Sequence, residues 1–334
     1  MPALLEIEDL EVSLFTRVGV LKAIDGMSLS IDAGETVAIV GESGCGKSLT
    51  ALAIMGLLPE PPARIIGGNI RLAGRDIATL PEAQMQRVRG REIAMIFQDP
   101  MTALNPVLTV GYQLAEGVRR HNPMPRQDAM DKAVELLRRV RIPDAERRLD
   151  DYPHQLSGGM NQRVAIAMAI ACEPKVLIAD EPTTALDVTI QAQIIDLMKD
   201  LQASLGMALI IITHDLGVVA EIADRVVVMY AGRKVEEAPV EELFARPLHP
   251  YTRGLLGATA SALLQRGGRL AEIAGSVPPL SELPPGCAFS NRCNDAFDRC
   301  RAQKPRLIAA ARGRSVACFA VENEEDRRVA AVGA

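Results

Sequence analysis

Tryptophan is absent from this 334-residue chain and aromatic residues make up only 3% of it. Aliphatic side chains must therefore build the core, and a hydrophobic content of 48% is ample for that. Long apolar runs are missing as well. None approaches the ~20 residues that span a bilayer, and Met207 to Ile212, among the longest, is only strand-sized. The opening residues, Met1 to Leu10, carry acids and lack the basic-then-apolar order of a signal peptide. The expected location is thus the cytoplasm, with any membrane role supplied by partner subunits. An excess of positive charge is also lacking. The formal net charge is -5, so no basic nucleic-acid footprint is present. The length allows one large domain or two moderate ones.

Against these absences stands Gly41-Glu42-Ser43-Gly44-Cys45-Gly46-Lys47-Ser48, which matches G-x-x-x-x-G-K-[ST], the phosphate-binding loop. Thr36 to Val40 before it is apolar and β-branched, which suits a buried strand. Leu49 to Leu58 after it reads as a helix. The motif therefore has the context it needs: strand, glycine loop, helix. Glycines let successive backbone N–H groups turn inward around an anion, and the helix N-terminus points its positive end at the same place. Lys47 would neutralise the β- and γ-phosphates of ATP, and the Ser48 hydroxyl would ligate Mg²⁺.

Further strands carry further chemistry. Ile93 to Phe97 is a buried strand followed by Gln98. Val176 to Ala179 leads into Asp180-Glu181, two carboxylates at a strand's carboxyl end, where open α/β sheets bind ligands. Asp180 suits Mg²⁺ and Glu181 suits a water, because neighbours on a strand face opposite ways. Ala208 to Thr213 ends at His214, and Arg225 to Tyr230 closes this region. From Thr109 to about Ala171 the pattern is mainly helical. Inside it stands Leu156-Ser157-Gly158-Gly159, where Ser157 can cap a helix opened by two glycines. Such glycines expose N–H groups to an anion. The N-terminal stretch, Leu5 to Val12 and Met27 to Ile31, reads as an antiparallel sheet with turns at Gly19, Gly26 and Ala33-Gly34. Phe15 lies in this stretch; it could stack on an adenine ring, or pack in the strand.

The cysteines are unevenly placed. Cys45 sits in the phosphate loop and Cys172 in a helical pattern, while Cys287, Cys293, Cys300 and Cys318 are separated by five, six and seventeen residues. In a reducing compartment such a cluster suggests metal before disulfides. Four thiolates suit tetrahedral zinc or an iron–sulfur cluster, with free thiols or disulfides as the alternative, and the spacing lacks the C-x₂-C pairs of common zinc sites.

Taken together the motifs resemble the nucleotide-binding subunit of an ABC transporter over about residues 4–245. The resemblance rests on Gly41 to Ser48, Gln98 of the Q-loop, the signature Leu156 to Gly159, Asp180-Glu181, Leu186-Asp187 of the D-loop and His214 of the switch region. Tyr152 to Leu156, Asp180 to Thr189 and His249-Pro250-Tyr251-Thr252 narrow it to the dipeptide/oligopeptide importer ATPases of bacteria.

This likeness implies an α/β fold: a RecA-like core sheet, an antiparallel β subdomain, a helical signature subdomain at about 100–170, and a small Cys-rich extension. The implied domains are 1–245, 246–321 and a charged tail at 322–334. It implies that Phe15, Gly41, Ser43, Gly44, Cys45, Gly46, Lys47, Ser48, Leu49, Gln98 and Asp180 hold nucleotide. Ser157, Gly158, Gly159 and Asp187 would serve it in trans, from the opposite subunit of a head-to-tail pair. Glu181, His214 and Gln98 would be catalytic, and Ser48, Gln98 and Asp180 would hold Mg²⁺.

The implied activity is ATP hydrolysis driving uptake of di- or oligopeptides at the cytoplasmic face of the bacterial inner membrane. The implied partners are a second, non-identical ATPase subunit, two transmembrane permeases and an extracytoplasmic solute-binding protein, with no nucleic acid. Nickel, glutathione or another small solute is an alternative cargo, and a soluble ATPase gating nucleic-acid or ribosome binding an alternative role. The C-terminal cysteine pattern of some such importer ATPases implies a [4Fe–4S] cluster on Cys287, Cys293, Cys300 and Cys318. Two departures stand out. The adenine-stacking aromatic aligns best with Leu14, one place before Phe15, and Cys45 replaces the more usual serine, with little expected effect because that position contributes backbone.

Overall fold

The computed structural model describes residues 3–184, 186–264, 273–310 and 313–322. The charged tail, apart from Glu322, lies outside the described residues, as does Ala185. In chain order the strands are β1 (Leu5–Thr16), β2 (Gly19–Ile31), β3 (Thr36–Val40), β4 (Ala63–Leu72), β5 (Arg75–Asp76) and β6 (Ile93–Ile96). They continue with β7 (Val176–Asp180), β8 (Ala208–Ile212), β9 (Arg225–Tyr230), β10 (Arg233–Pro239), β11 (Ile308–Ala310) and β12 (Arg314–Val316). They form a four-stranded sheet, β2-β1-β4-β5, and an eight-stranded sheet, β11-β12-β10-β9-β3-β8-β7-β6.

The small sheet is antiparallel, as its alternating sequence requires. Gly26, however, is no turn. It sits inside β2 with φ +75°, where the register steps from Leu10↔Met27 to Glu11↔Asp25. A glycine there absorbs the bulge that an L-residue would resist.

In the large sheet β9, β3, β8, β7 and β6 run parallel, and β10, β12 and β11 add antiparallel strands at one edge. The near-continuous apolar runs now have a cause. Ala38, Val40, Leu177, Ala179, Leu209 and Ile211 enter one core, shared with the helical segments. Their strand neighbours Val37, Ile39, Val176, Ile178, Ile210 and Ile212 enter a second core under the antiparallel sheet. Both faces are buried, so polar alternation would be costly. Truncating any of these isoleucines to alanine would cost about 2–5 kcal/mol.

The helix after the phosphate loop spans Lys47–Ile54 and ends earlier than the sequence pattern suggests. Between β6 and β7 lie the helices Val110–His121, Arg126–Arg139, Ala145–Arg148 and Gly158–Ile170. Thr109 caps the first, its hydroxyl accepting from the Tyr112 N–H at 3.3 Å. Arg138 and Arg141 are solvated and pair with Glu146 and Asp200.

The C-terminal strands join the large sheet through a buried pair. Arg314 donates to Glu236 at 3.0 Å, with side-chain exposures of 4% and 0%. The same carboxylate accepts the N–H groups of Leu248 and His249, both at 2.8 Å. A buried charge is tolerated only when paired and hydrogen-bonded in this way.

Candidate nucleotide site

The carboxyl ends of four adjacent parallel strands, β3, β8, β7 and β6, meet along one edge of the large sheet. From β3 comes the phosphate loop, from β8 Thr213 and His214, from β7 Asp180 and Glu181, and from just past the end of β6, Phe97 and Gln98. Strand order thus gathers motifs that lie far apart in the chain. It does so where helix N-termini and strand ends both face out.

The loop is shaped by its glycines. Gly41 has φ +152°, and a Cβ there would lie 2.3 Å from the Met229 carbonyl oxygen and 2.8 Å from Cys45 Sγ. Gly46, at φ 101°, forms the cap of the following helix. Ser43 and Gly44 are exposed at the mouth, and Leu49 packs partly against the second core. Cys45 is fully buried, and desolvation pushes its thiol above the usual range, so only its backbone belongs to the loop's inner face. Lys47, itself only 6% exposed, donates to the carbonyls of Gly41 at 2.8 Å and Glu42 at 3.1 Å. It closes the loop into a ring with its cation at the centre.

Ser48 and Asp180, 132 positions apart, meet at 3.0 Å, the hydroxyl donating to the carboxylate. Burial, with the Glu181 carboxylate beside it, holds Asp180 above the usual carboxylate range against the pull of the Ser48 hydrogen bond and Lys47. Two hard oxygen donors side by side fit Mg²⁺. Gln98, the third expected ligand, instead donates to Glu181 Oε2 at 3.1 Å.

Glu181 is the hub of the remaining groups. Its backbone has φ 47°, unusual for a residue with a side chain, of the kind stored at functional sites. Besides Gln98, its carboxylate accepts from the Thr184 hydroxyl at 2.9 Å and lies 3.4 Å from His214 Nδ1. Gln98, Thr184 and His214 therefore surround one carboxylate. Thr184 had no role in the sequence reading, although its place three residues after Glu181, in the same turn, was a usable signal.

Ser157, Gly158 and Gly159 open the helix Gly158–Ile170, with Ser157 capping it by accepting from the Met160 N–H. Ser157 and Gly158 are exposed. The glycines differ in cause. Gly158 is nearly open, but a Cβ on Gly159 would stand 2.8 Å from Ile190 Cγ2. Asp187 caps the helix Val188–Leu205, accepting from the Ile190 N–H at 2.9 Å, so the signature and D-loop segments touch through Ile190. Phe15 is exposed with the Arg64 guanidinium 5.7 Å from its ring centre, whereas Leu14 packs partly into the second core.

The expectation of a metal cluster on the C-terminal cysteines is corrected. Among the described residues no group of three or more His, Cys, Asp or Glu side chains is placed to hold a metal ion. Cys287, Cys293, Cys300 and Cys318 are free, and line one small cavity with Phe289, Pro305 and other largely apolar side chains. Burial pushes the Cys287 thiol up to about 11 and those of Cys293 and Cys318 above the usual range. Neutral thiols in an apolar pocket behave as small hydrophobes, not as thiolate ligands. The expectation of an iron–sulfur protein therefore has no support.

Comparison with known proteins agrees with the site. The profile described as "ABC transporter" matches residues 24–184, and that described as "Oligopeptide/dipeptide transporter, C-terminal region" matches residues 235–300. A probable peptide ABC transporter ATP-binding protein of Sinorhizobium fredii is 54% identical, covering 95% of this chain and 94% of that one. The oligopeptide transport ATP-binding protein AppD of Bacillus subtilis is 50% identical, covering 97% and 98%. Among solved structures, the dimeric post-hydrolysis ATP-binding cassette MJ0796, bound to ADP and Pi, superposes with a TM-score of 0.64 at 27% identity, covering 71% of this chain and 98% of that one. With the phosphate loop, the carboxylate hub and both halves of the chain matched, this protein belongs to the ABC transporter ATP-binding subunits, in the branch that carries the oligopeptide/dipeptide transporter C-terminal region.

Proposed function

We propose that this chain is the ATP-hydrolysing subunit of an ABC importer for di- or oligopeptides. The observation that carries the reading is the meeting of Lys47, Ser48, Asp180, Glu181, Gln98 and His214 at one sheet edge. It agrees with relatives named as peptide and oligopeptide transport ATP-binding proteins.

In this reading the loop Gly41–Ser48 binds the triphosphate through backbone N–H groups, and Lys47 exchanges its loop carbonyls for phosphate oxygens. Ser48 and Asp180 hold Mg²⁺, with Gln98 close by. When bound there, the metal supplies positive charge to the transferring phosphate. Glu181 orients the attacking water and accepts its proton, while Gln98, Thr184 and His214 fix the carboxylate. His214, 66% exposed in its side chain, is free to turn toward the γ-phosphate. Catalysis is positioning and charge stabilisation, with no covalent intermediate on the protein.

The exposed Ser157 and Gly158 serve the nucleotide of a partner cassette, as does Asp187, and the partner is a non-identical ATPase subunit. Two permeases dock beside Gln98, where Leu57, Phe97 and Met168 line an open apolar groove. Among the described residues no helix is long and apolar enough to cross a membrane, so the permeases provide the path and a solute-binding protein the cargo. The subunit then sits on the cytoplasmic face of the inner membrane. Residues 1–245 are the cassette and 246–321 its importer-type extension.

The test is Glu181→Gln. It should bind ATP as the parent does and hydrolyse it about 10²–10³-fold more slowly. Near-parental turnover by the assembled transporter would remove Glu181 from this role.

A further inference from the structure

Arg292, from the C-terminal extension, reaches the phosphate loop. Its Nη1 and Nη2 donate to the two carboxylate oxygens of Glu42 at 2.6 and 2.9 Å, a two-pronged contact to the loop's second residue. The guanidinium is held on every side. Nε donates to the Ala274 carbonyl at 2.9 Å, Nη2 to that of Gly275 at 3.1 Å, and the group lies 5.9 Å from the ring centres of both Tyr230 and Phe289. Its side chain is only 6% exposed. Such a forked, packed arginine sets geometry as well as charge.

Tyr251, also from the extension, makes a second contact. Its fully buried phenol accepts the Glu42 backbone N–H at 2.8 Å. The ring packs on Tyr230 and Phe289, with centres 4.7 and 5.4 Å away. The Glu42 carbonyl, meanwhile, accepts from Lys47. The side chain, N–H and C=O of Glu42 are thus all committed, two of them to the extension and one to the loop's own lysine. The His249-Pro250-Tyr251-Thr252 motif, which the catalytic scheme leaves without a role, acquires one.

We propose that Arg292 and Tyr251 are positioning residues for nucleotide binding: docked from the extension, they hold Glu42 so that the loop's N–H groups face the triphosphate. This inference rests on reading Gly41–Ser48 as the triphosphate cradle. Neither residue touches the reacting atoms. Their loss therefore weakens ground-state and transition-state binding alike, raising KM while leaving kcat.

The experiment measures MgATP binding to the full chain by calorimetry, and KM and kcat in the assembled transporter. Arg292→Ala should weaken MgATP about tenfold, and Arg292→Lys less, since a point charge cannot replace the fork. Glu42→Gln should weaken binding alone but add little in the Arg292→Ala background, because the two act as one unit. Tyr251→Phe removes a single oxygen and should weaken binding by a few-fold without unfolding the protein, so it decides the matter if Arg292→Ala fails to fold. Arg299→Ala is the control. That arginine lies 4.0 Å from the Phe319 ring within the extension, and its loss should leave binding alone. The proposal falls if Arg292→Ala or Tyr251→Phe folds with unchanged affinity, if kcat falls while KM holds, or if Arg299→Ala weakens ATP equally. Lys47→Ala separates the two readings. If it binds MgATP like the parent, the cradle itself is misassigned; if it loses MgATP while Tyr251→Phe does not, only the present inference fails.

Discussion

The two edges of the large sheet treat charge in opposite ways. At the carboxyl edge of β3, β8, β7 and β6, polar groups gather in partial exposure, and one contact is loose: His214 lies 3.4 Å from Glu181 and is itself mostly exposed. At the β10–β12 edge, Glu236 and Arg314 are sealed, and the carboxylate is fully occupied by backbone and guanidinium donors. The first arrangement leaves bonding capacity for a substrate. The second spends nearly all of it internally, Arg314 Nε excepted. A polar cluster therefore signals function when its groups are diverse and incompletely satisfied, and architecture when they are saturated. The cysteine-lined cavity teaches the same lesson from another side, since four like groups line a largely apolar pocket where burial favours the neutral thiol at Cys287, Cys293 and Cys318.

The contrast can be broken by substitution. The largest effect belongs to Arg314→Ala, which strands a buried carboxylate and should cost about 3–5 kcal/mol in chemical denaturation. MgATP affinity measured well below the new midpoint should hold; if stability barely moves, the sealed pair is no anchor. Next comes Gly159→Ala, whose methyl would press on Ile190 and should cost about 1–3 kcal/mol of stability, whereas Gly158→Ala should be tolerated in the isolated subunit. Equal unfolding midpoints for the two would refute the steric distinction between them.

Phe15→Ala should weaken ATP by about 1–3 kcal/mol if its exposed ring stacks on adenine, read by titration against ATP and a base-free triphosphate. A loss equal for both ligands would assign Phe15 to strand packing. The smallest change is expected from Cys293→Ser, which should shift stability by no more than about 1 kcal/mol and leave turnover intact. Stoichiometric iron or zinc in the parent, lost on that substitution, would restore a metal to the cavity.

Much of this site was legible before any fold was seen. The phosphate loop, the Asp180-Glu181 strand end and the Ser157 cap are local signals, set by backbone needs that a few residues express. Strands β3, β7, β8 and β9 were readable because burial on both faces forces continuous apolar runs. Gly26 misled, because a positive-φ glycine serves a bulge as well as a turn. Cys287, Cys293, Cys300 and Cys318 misled further, because spacing along a chain carries no information on whether sulfur atoms share a centre or a solvent.

By itself, then, the order of residues determined the strand–loop–helix cradle, its lysine and hydroxyl, and the family to which the motifs point. Only the tertiary structure decided which distant groups meet: Ser48 with Asp180, Gln98 and His214 with Glu181, and Arg292 and Tyr251 with Glu42. The physical reason is that local signals report the backbone's own conformational demands. Contacts between groups tens to hundreds of positions apart depend on strand order and packing, which no short stretch of sequence contains.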